Sequence, residues 1–287
     1  MIGWIHMEYY EKEPVSLYLK DLQPIESFKS SKQSIQLFIH HWLGKVLVIN
    51  GEIQHIENYQ TLYHELLVHL PTAFVPNLNT ALILGGGSLF AAYEVLKYPT
   101  VERVVLCDHD HAVLELMARH YPHARQVLQD KRFHYVESDA REFIKKIDNN
   151  YDLIINDCFN LAEESNKHSV SYFSVLSNLC SNIGVCVDII YRHIFDKKTT
   201  IDTLLYLKHE KALALSLVTV PEYPGILHME TLWGNSPYLT QDAKITSNLF
   251  QKNVISSGTS SPFRFFSPEH LPFYLYLPPY IKEMFNL

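Results

Sequence analysis

Several features that would assign this chain to a special class are scarce in its sequence. The 287 residues contain only four cysteines, and these form no C-x-x-C pair, so neither a disulfide framework nor a cysteine-rich zinc site is expected. No apolar run approaches the roughly 18 residues of a transmembrane helix, and no basic segment precedes an apolar stretch as in a signal peptide. We therefore expect a cytoplasmic protein with reduced thiols and no membrane partner.

Positive charge is also in short supply. The 24 lysines and arginines are outnumbered by 31 acids, which gives a net charge of −7, and residues of the two signs are interspersed. A nucleic-acid-binding protein would carry a basic stripe, so this class is disfavoured, and a cationic ligand suits the charge balance better. The 16 histidines lack companion ligands at metal spacing, so no metal site is predicted.

One stretch in the first half of the chain organises the rest. The apolar run Ala81–Leu84 predicts a buried parallel strand, and the turn Gly85-Gly86-Gly87 separates it from a segment with helical spacing. Such a turn lets a ligand approach the backbone closely because no Cβ intervenes. A second apolar run ends about 20 residues later at Asp108, where an acid can hold the hydroxyls of a ribose. The pair predicts a nucleoside-binding site.

From Ala81 onward the pattern alternates between strands and helices, which predicts an α/β fold with a mostly parallel, doubly wound sheet. The predicted strands are 81–84, 103–108, 133–137, 152–157 and 185–190. The predicted helices are 88–97, 111–121, 140–147, 168–180 and 198–211. Ligands of such sheets bind beyond the carboxyl ends of the strands, and Asp139 and Asp157 are expected there beside Asp108.

Residues 1–70 carry a different pattern and predict a small β-strand domain in front of the main domain, 71–287. Residues 34–40 alternate between polar and apolar, and the run 45–51 ends in Asn-Gly, a strong hairpin signal, before 52–56. The other predicted elements are a helix at 61–69, a linker at Pro71 and Pro76, strands at 215–220 and 230–233, a loop at 250–262 and a helix at 278–285.

Six motifs, in order along nearly the whole chain, resemble those of the spermidine synthase family, the polyamine aminopropyltransferases. They are 44–54, Tyr63-His64-Glu65, Gly85-Gly86-Gly87, 152–157, 220–225 and 265–270. The resemblance implies a methyltransferase-like Rossmann domain behind an N-terminal β domain, in a homodimer or homotetramer. It also implies transfer of an aminopropyl group from decarboxylated S-adenosylmethionine, a co-substrate and not a tightly bound cofactor, to a small amine such as putrescine.

The resemblance assigns roles to single residues. The donor nucleoside would be bound by Gln33, Gln54, His64, Gly85, Gly86, Gly87, Ser88, Asp108 and Asp139. In this set Asp108 would hold the ribose hydroxyls and Asp139 the adenine amino group. Tyr63, Asp157 and Tyr223 would orient the attacking amine, with Asp157 as general base. An amine with a pKa near 10 is mostly protonated at neutral pH, so a carboxylate must accept a proton.

Two acids of the family pattern are missing. Ser88 stands where the family has an Asp that binds the ammonium of the donor, and Asn160 replaces an Asp that anchors the acceptor amine. Loss of a charge-assisted hydrogen bond to an ammonium costs roughly 1.5–3 kcal/mol. Glu222, Glu230 and Asp188 are candidates to restore the missing charge, and we expect Glu222 and Asn160 to contact the substrate.

Three interpretations remain open at this point. In the first, the chain is an aminopropyltransferase whose amine contacts have moved. In the second, it uses intact S-adenosylmethionine for methyl or other alkyl transfer, because loss of the acid at Ser88 removes repulsion against the methionine carboxylate. In the third, it is a non-catalytic nucleoside-binding relative. The retained Asp157, Tyr63 and Tyr223 disfavour the third interpretation, and the first is preferred.

Overall fold

The computed structural model describes residues 5–8, 16–148, 150–190, 197–208, 210, 212–220, 222, 227–240 and 263–287. Two sequence predictions, the role of Tyr223 and the loop at 250–262, lie outside the described residues. Among the helices within these ranges, none has the length and apolar character needed to cross a membrane.

The N-terminal part of the chain is built from antiparallel strands. Strands β1 (Ile5–Glu8) and β2 (Ser16–Leu19) pair with each other, and a four-stranded sheet contains β3 (Gln23–Lys29), β4 (Ser34–His40), β5 (Gly44–Ile49) and β6 (Glu52–Ile56) in chain order. The turn between β5 and β6 has positive φ at Asn50 (53°) and Gly51 (88°), the geometry for which Asn-Gly is favoured. The hairpin predicted there is confirmed.

Helix α1 (Gln60–Thr72) leads into a seven-stranded sheet. The strands of this sheet are β7 (Thr80–Gly85), β8 (Arg103–Asp108), β9 (Phe133–Glu137), β10 (Tyr151–Asp157), β11 (Cys180–Ile190), β12 (Leu213–Thr219) and β13 (Leu227–Gly234). Its helices are α2 (Phe90–Leu96), α3 (His111–His120), α4 (Pro122–Gln129), α5 (Ala140–Phe143), α6 (Leu161–His168), α7 (Tyr172–Leu179) and α8 (Lys197–Leu207). Two short helices, Leu271–Tyr274 and Pro279–Phe285, follow near the end of the described chain.

The strand order β12-β13-β11-β10-β7-β8-β9 places the first strand of the sheet, β7, near its middle. Strands β11, β10, β7, β8 and β9 are parallel, whereas β13 is antiparallel to both of its neighbours. The chain therefore leaves β7 in one direction and later returns to β10 on its other side. This reversal point is where doubly wound sheets bind ligands, and there Gly85 pairs with Asp157. The predicted α/β fold is confirmed.

Two features differ from the sequence expectations. Residues 168–180 do not form one helix, because α6 ends at Ser169 in the left-handed conformation (φ 53°) and Ser171 then caps α7. Pro71 does not mark a linker, since it lies in the last turn of α1. The division into two domains at residue 70 remains a prediction.

The sequence analysis also missed one helix and gave wrong bounds for two other elements. Helix α4 was missed because a proline usually ends the preceding helix, whereas Pro122 occupies the first turn of a new one, where proline is tolerated. Strand β11 begins at Cys180, five residues earlier than predicted, since its first residues are mostly polar. Helix α5 ends at Phe143.

The hydrophobic core joins the two sheets. Ile35, Leu37 and Leu47 of the four-stranded sheet belong to the same buried cluster as α1, α2 and one face of the parallel strands. A second cluster on the other face includes α6 and α7. The four-stranded sheet is thereby fixed against the parallel sheet, and a cavity forms between them.

Candidate active site

The predicted site residues come together in this cavity, whose volume is about 710 Å³. Those that line it are Gln33, Gln54, Tyr63, His64, Gly85, Gly86, Gly87, Ser88, Asp108, Asp139, Asp157, Asn160 and Glu222. The remaining predicted residue, Tyr223, lies outside the described chain. The structure thus establishes the proximity of these residues, while their individual roles remain predictions.

The glycine turn brings backbone to the floor of the cavity. Gly85 has φ of +77°, and a Cβ at this position would lie 2.5 Å from the Cβ of Cys158. Gly87 donates its N–H to Asp108 Oδ2 at 3.1 Å, and a Cβ on Gly87 would lie 3.0 Å from the same oxygen. Glycine is therefore required where the turn passes both the end of β10 and the carboxylate of β8.

Asp108 is held by the backbone around it. In addition to the N–H of Gly87, its carboxylate accepts the N–H of Asp110 at 3.0 Å, through Oδ1. Burial raises the pKa of Asp108, although these two hydrogen bonds oppose the shift. A carboxylate that is fixed in this way and lines the cavity is suited to accept hydrogen bonds from neutral hydroxyls.

Gln33 and Gln54 approach from the four-stranded sheet. Gln33 follows the turn between β3 and β4, where Ser30 donates its hydroxyl to Asp110 Oδ2 at 2.6 Å. Asp110 is thus bonded to the turn and also donates its N–H to Asp108. This connection sets the position of the strand turn relative to the predicted ribose site.

Asp139 is already engaged by the protein. It caps α5, and Arg141 contacts both of its carboxylate oxygens, at 3.0 Å from Nε and 2.6 Å from Nη2. The guanidinium lowers the pKa of Asp139 to about 2. Arg141 also donates to Glu164 at 2.8 Å and itself lines the cavity. Sequence analysis missed this arginine, although its position two residues after a capping Asp is a detectable signal.

Tyr63 and Asp157 form the pair predicted to orient the amine. The Tyr63 hydroxyl, on α1, donates to Asp157 Oδ1 at 2.5 Å. The other oxygen, Oδ2, is turned towards the glycine turn, because a Cβ on Gly86 would lie 3.6 Å from it. One carboxylate oxygen is thus oriented by a tyrosine while the other faces the part of the cavity where the donor is predicted to bind.

Neutral groups stand near the position of the missing donor acid. Ser88 lines the cavity, and behind it the ring of Phe90 stacks on His123 with the centroids 3.6 Å apart. His64 Nδ1 lies 3.0 Å from the carbonyl oxygen of Gln60, so Nδ1 carries the ring proton. Burial lowers the pKa of His64 to about 4, and this imidazole is neutral at pH 7.

Two further buried acids line the cavity near Asp157. Asp188 accepts a hydrogen bond from Asn156 Nδ2 at 2.6 Å, and burial raises its pKa to about 8. Glu222 accepts the N–H of Ile56 at 3.1 Å, and burial raises its pKa to about 7. The negative charge of Asp157 contributes to both shifts. A cation in the cavity would favour ionisation of both acids.

Glu230 and Asn160, which were also expected near the acceptor amine or as a replacement for its missing charge, are placed differently from Asp188 and Glu222. Glu230 is fully buried in β13 and is absent from the described residues that line the cavity. Asn160 lines the cavity, but its side-chain oxygen accepts the N–H of Glu163 and caps α6. Of the three acids considered from the sequence, Glu222 and Asp188 therefore reach the cavity.

The fold and this cavity define a class of protein: a Rossmann-type α/β protein with an acid-lined cavity at the carboxyl ends of its parallel strands. The model of the spermine/spermidine synthase domain matches residues 60–244, and the chain belongs to this family. The family and the transferase class predicted from the sequence are confirmed.

Individual relatives extend the comparison. A polyamine aminopropyltransferase of Thermoanaerobacter sp. (strain X514) is 26% identical over 99% of this chain and 98% of its own length. Putrescine N-methyltransferase 2 of Nicotiana tabacum is 38% identical over 45% of this chain and 37% of its own length. The crystal structure of spermidine synthase from Thermotoga maritima matches with a TM-score of 0.84 at 23% identity, over 99% of this chain and 94% of that one, and thereby shows the same fold.

Proposed function

We propose that the protein transfers an aminopropyl group from decarboxylated S-adenosylmethionine to a small amine such as putrescine. The observation that carries this proposal is the placement of Asp157. It lies opposite Gly85 at the reversal point of the sheet, is oriented by Tyr63, and has Glu222 and Asp188 in the same cavity. A relative named polyamine aminopropyltransferase aligns along nearly the whole chain.

The proposed reaction is a displacement at carbon. The amine nitrogen forms a bond to the aminopropyl carbon, the carbon–sulfur bond breaks, and the sulfur leaves with its electron pair as methylthioadenosine. Asp157 Oδ2 accepts the proton that the amine nitrogen loses. Tyr63 keeps the other carboxylate oxygen hydrogen-bonded, so the basic oxygen stays aimed at the glycine turn.

The nucleoside part of the donor is proposed to occupy the glycine end. Asp108 would accept hydrogen bonds from the ribose hydroxyls, and Gln33 and Gln54 would close over the donor from the four-stranded sheet. Asp139 would accept a hydrogen bond from the adenine amino group through the oxygen lone pairs that its contacts with Arg141 leave available. Ser88 and His64 would face the arm of the donor with neutral groups.

A second candidate is methyl transfer from intact S-adenosylmethionine. Ser88 favours it, because a neutral residue there does not repel the carboxylate of the methionine arm. The partial match to a putrescine N-methyltransferase is consistent with this alternative. A third candidate, nucleoside binding without catalysis, predicts neither product.

Product analysis distinguishes the candidates. The protein is incubated with putrescine and either donor, and the nucleoside product is identified by liquid chromatography and mass spectrometry. Methylthioadenosine from the decarboxylated donor is expected. S-adenosylhomocysteine from the intact donor would replace this proposal with methyl transfer, and absence of both products would support the binding role.

We also propose that the protein acts in the cytoplasm as a homodimer or homotetramer without a tightly bound cofactor. The four free thiols suit a reducing compartment, and the family resemblance suggests the assembly. Light scattering after size-exclusion chromatography tests the subunit number, and a monomer would contradict it.

A further inference from the structure

The turn between β3 and β4 brings Gln33 to the cavity, but it is organised by Ser30, which is not among the described residues that line the cavity. The hydroxyl oxygen of Ser30 accepts the backbone N–H groups of Lys32 and Gln33, both at 3.0 Å. The backbone N–H of Ser30 donates to the carbonyl of Gln33, also at 3.0 Å. This one serine therefore fixes the backbone from which the Gln33 side chain extends.

The proton of the same hydroxyl is directed at helix α3. It is donated to Asp110 Oδ2 at 2.6 Å, in preference to the carbonyl of Gln33 at 3.3 Å, so the hydroxyl uses its one donor and both acceptor lone pairs. Asp110 is 3% exposed, and its other oxygen caps α3 by accepting the N–H of Ala112 at 3.1 Å. Ser30 is thus attached to a buried carboxylate that the start of the helix holds in place.

Asp110 also contacts the acid that is predicted to hold the ribose. Its backbone N–H donates to Asp108 Oδ1 at 3.0 Å, while the N–H of Gly87 donates to Oδ2 at 3.1 Å. A continuous series of hydrogen bonds therefore runs from the backbone of Gln33 through Ser30 and Asp110 to Asp108. The series joins two walls of the cavity, since Gln33 comes from the four-stranded sheet and Asp108 from the parallel sheet.

A second contact joins β3 to the other end of α3. The carboxylate of Glu26 accepts Arg119 Nη2 at 2.6 Å and lies 2.8 Å from His120 Nε2. These three side chains are partly exposed, and such ion pairs contribute little to stability. The ten-residue helix separates the two contacts by about 15 Å. Glu26 therefore attaches the same strand to the same helix away from the cavity, and it provides a matched control.

We propose that Ser30 is a positioning residue for nucleoside binding, which acts by holding Gln33 in place through Asp110. Without the hydroxyl, the turn loses its bond to Asp110 and two bonds that shape its backbone. Binding must then order the turn, and this ordering weakens the affinity. The inference rests on the proposed function only in taking a nucleoside as the ligand of the glycine end of the cavity.

A double-mutant cycle tests the proposal by calorimetric titration with methylthioadenosine, which requires no turnover. Ser30→Ala is expected to weaken binding roughly three- to tenfold, whereas Ser30→Thr, which keeps the hydroxyl, should weaken it less than about twofold. Gln33→Ala should weaken binding at least as much as Ser30→Ala. In the Gln33→Ala background, Ser30→Ala should add less than about a 1.5-fold loss, because the side chain that it positions is already absent. Glu26→Gln should change binding by less than about twofold.

Three results would overturn the positioning role. Ser30→Ala could bind as wild type does, Ser30→Ala and Glu26→Gln could weaken binding equally, or the losses of Ser30→Ala and Gln33→Ala could multiply in the double variant. If Ser30→Ala does not fold, Asp110→Asn replaces it in the cycle. This variant keeps an oxygen for the helix cap and the backbone N–H for Asp108, and it removes the carboxylate oxygen that accepts the Ser30 hydroxyl.

The same titrations separate this proposal from the proposed function. The expected cycle in a protein that binds methylthioadenosine but transfers no aminopropyl group would reject only the proposed function. Transfer by wild-type protein with unchanged nucleoside binding in Ser30→Ala would reject only the positioning role. Wild-type protein that does not bind methylthioadenosine would reject both.

Discussion

The two ends of the cavity hold their carboxyl groups in different states. At the glycine end, Arg141 lowers the pKa of Asp139 to about 2, and two backbone N–H groups bind Asp108. At the acceptor end, burial raises the pKa of Asp188 to about 8 and that of Glu222 to about 7. Burial also raises the pKa of Asp108, but both of its carboxylate oxygens accept backbone N–H groups, whereas Asp188 and Glu222 have pKa values close to physiological pH and would ionise when a cation binds.

Under the proposed function, the same two acids would offset the missing family acids. The acids at Ser88 and Asn160 are gone, yet Asp188 and Glu222 line the same cavity. Their charge depends on the ligand, because each is partly protonated near pH 7 when the cavity is empty. If the proposed acceptor is a dication, Asp188 and Glu222 would ionise to balance its charge and would be partly protonated, with less mutual repulsion, when the cavity is empty.

The largest expected effect comes from removing Asp157, the proposed general base. Asp157→Asn should lower kcat by about 10²- to 10⁴-fold, because the amide cannot accept the amine proton. Methylthioadenosine release under saturating substrates measures the effect. Tyr63→Phe is the matched variant, since it keeps the carboxylate and removes only the hydroxyl that orients it, and it should cost less. Activity of Asp157→Asn within twofold of wild type would show that Asp157 is not the base.

A smaller effect is expected at the glycine end. Asp108→Ala should weaken donor binding by about 10- to 100-fold, since charge-assisted hydrogen bonds to the ribose are lost, and should leave acceptor binding nearly unchanged. Titration with methylthioadenosine and, separately, with 1,4-diaminobutane measures both. If Asp108→Ala weakened the binding of both ligands equally, the proposal that they bind at different ends of the cavity would be wrong.

Glu230 provides a buried acid outside the cavity for comparison. Neither of its oxygens has a partner among the described residues, and burial raises its pKa to about 8. The folded protein therefore retains a proton that the unfolded chain releases above about pH 4.5, and the free energy of unfolding falls as pH rises towards 8.

Glu230→Gln should reduce the fall in the free energy of unfolding with pH by at most about 1.4 kcal/mol per pH unit, while Asp188 and Glu222, whose pKa values are also raised, keep their own contributions. Urea unfolding at about pH 5.5 and about pH 7.5 measures the change in slope. Saturating diamine should not alter the effect of Glu230→Gln on the pH dependence of unfolding, because Glu230 is not part of the described cavity lining. An unchanged slope in Glu230→Gln would show that another group carries the dependence.

The smallest effect concerns the donor arm. Ser88→Asp should improve binding of decarboxylated S-adenosylmethionine relative to the intact form by about three- to tenfold, since the new carboxylate attracts an ammonium and repels a carboxylate. Ser88→Asn is the neutral control of similar size. Competition titration with the two donors measures the ratio, and an equal change for both would place Ser88 away from the arm.

Sequence reasoning succeeded where residue order fixes position. Parallel strands bring their carboxyl ends to one edge, so the pattern of strands and helices alone predicts that Asp108, Asp139 and Asp157 lie together. The glycine turn was predictable from its position between a strand and a helix, whereas the close contact of Gly85 with the end of β10 depends on strand pairing that only the structure shows.

Other contacts depend on register and could not be read from the chain. Asn156 and Asp188 are 32 residues apart, and their hydrogen bond follows from the pairing of β10 with β11. The break between α6 and α7 depends on Ser169 adopting a left-handed conformation that a serine seldom takes.

The central claim is that the cavity binds a nucleoside at one end and a diamine at the other. A crystal structure of the protein with methylthioadenosine and 1,4-diaminobutane tests it most directly. We predict the ribose hydroxyls on Asp108 and one amine within hydrogen-bond reach of Asp157 Oδ2. A nucleoside bound at the Asp188 end, or an amine held at Asp108, would contradict the account.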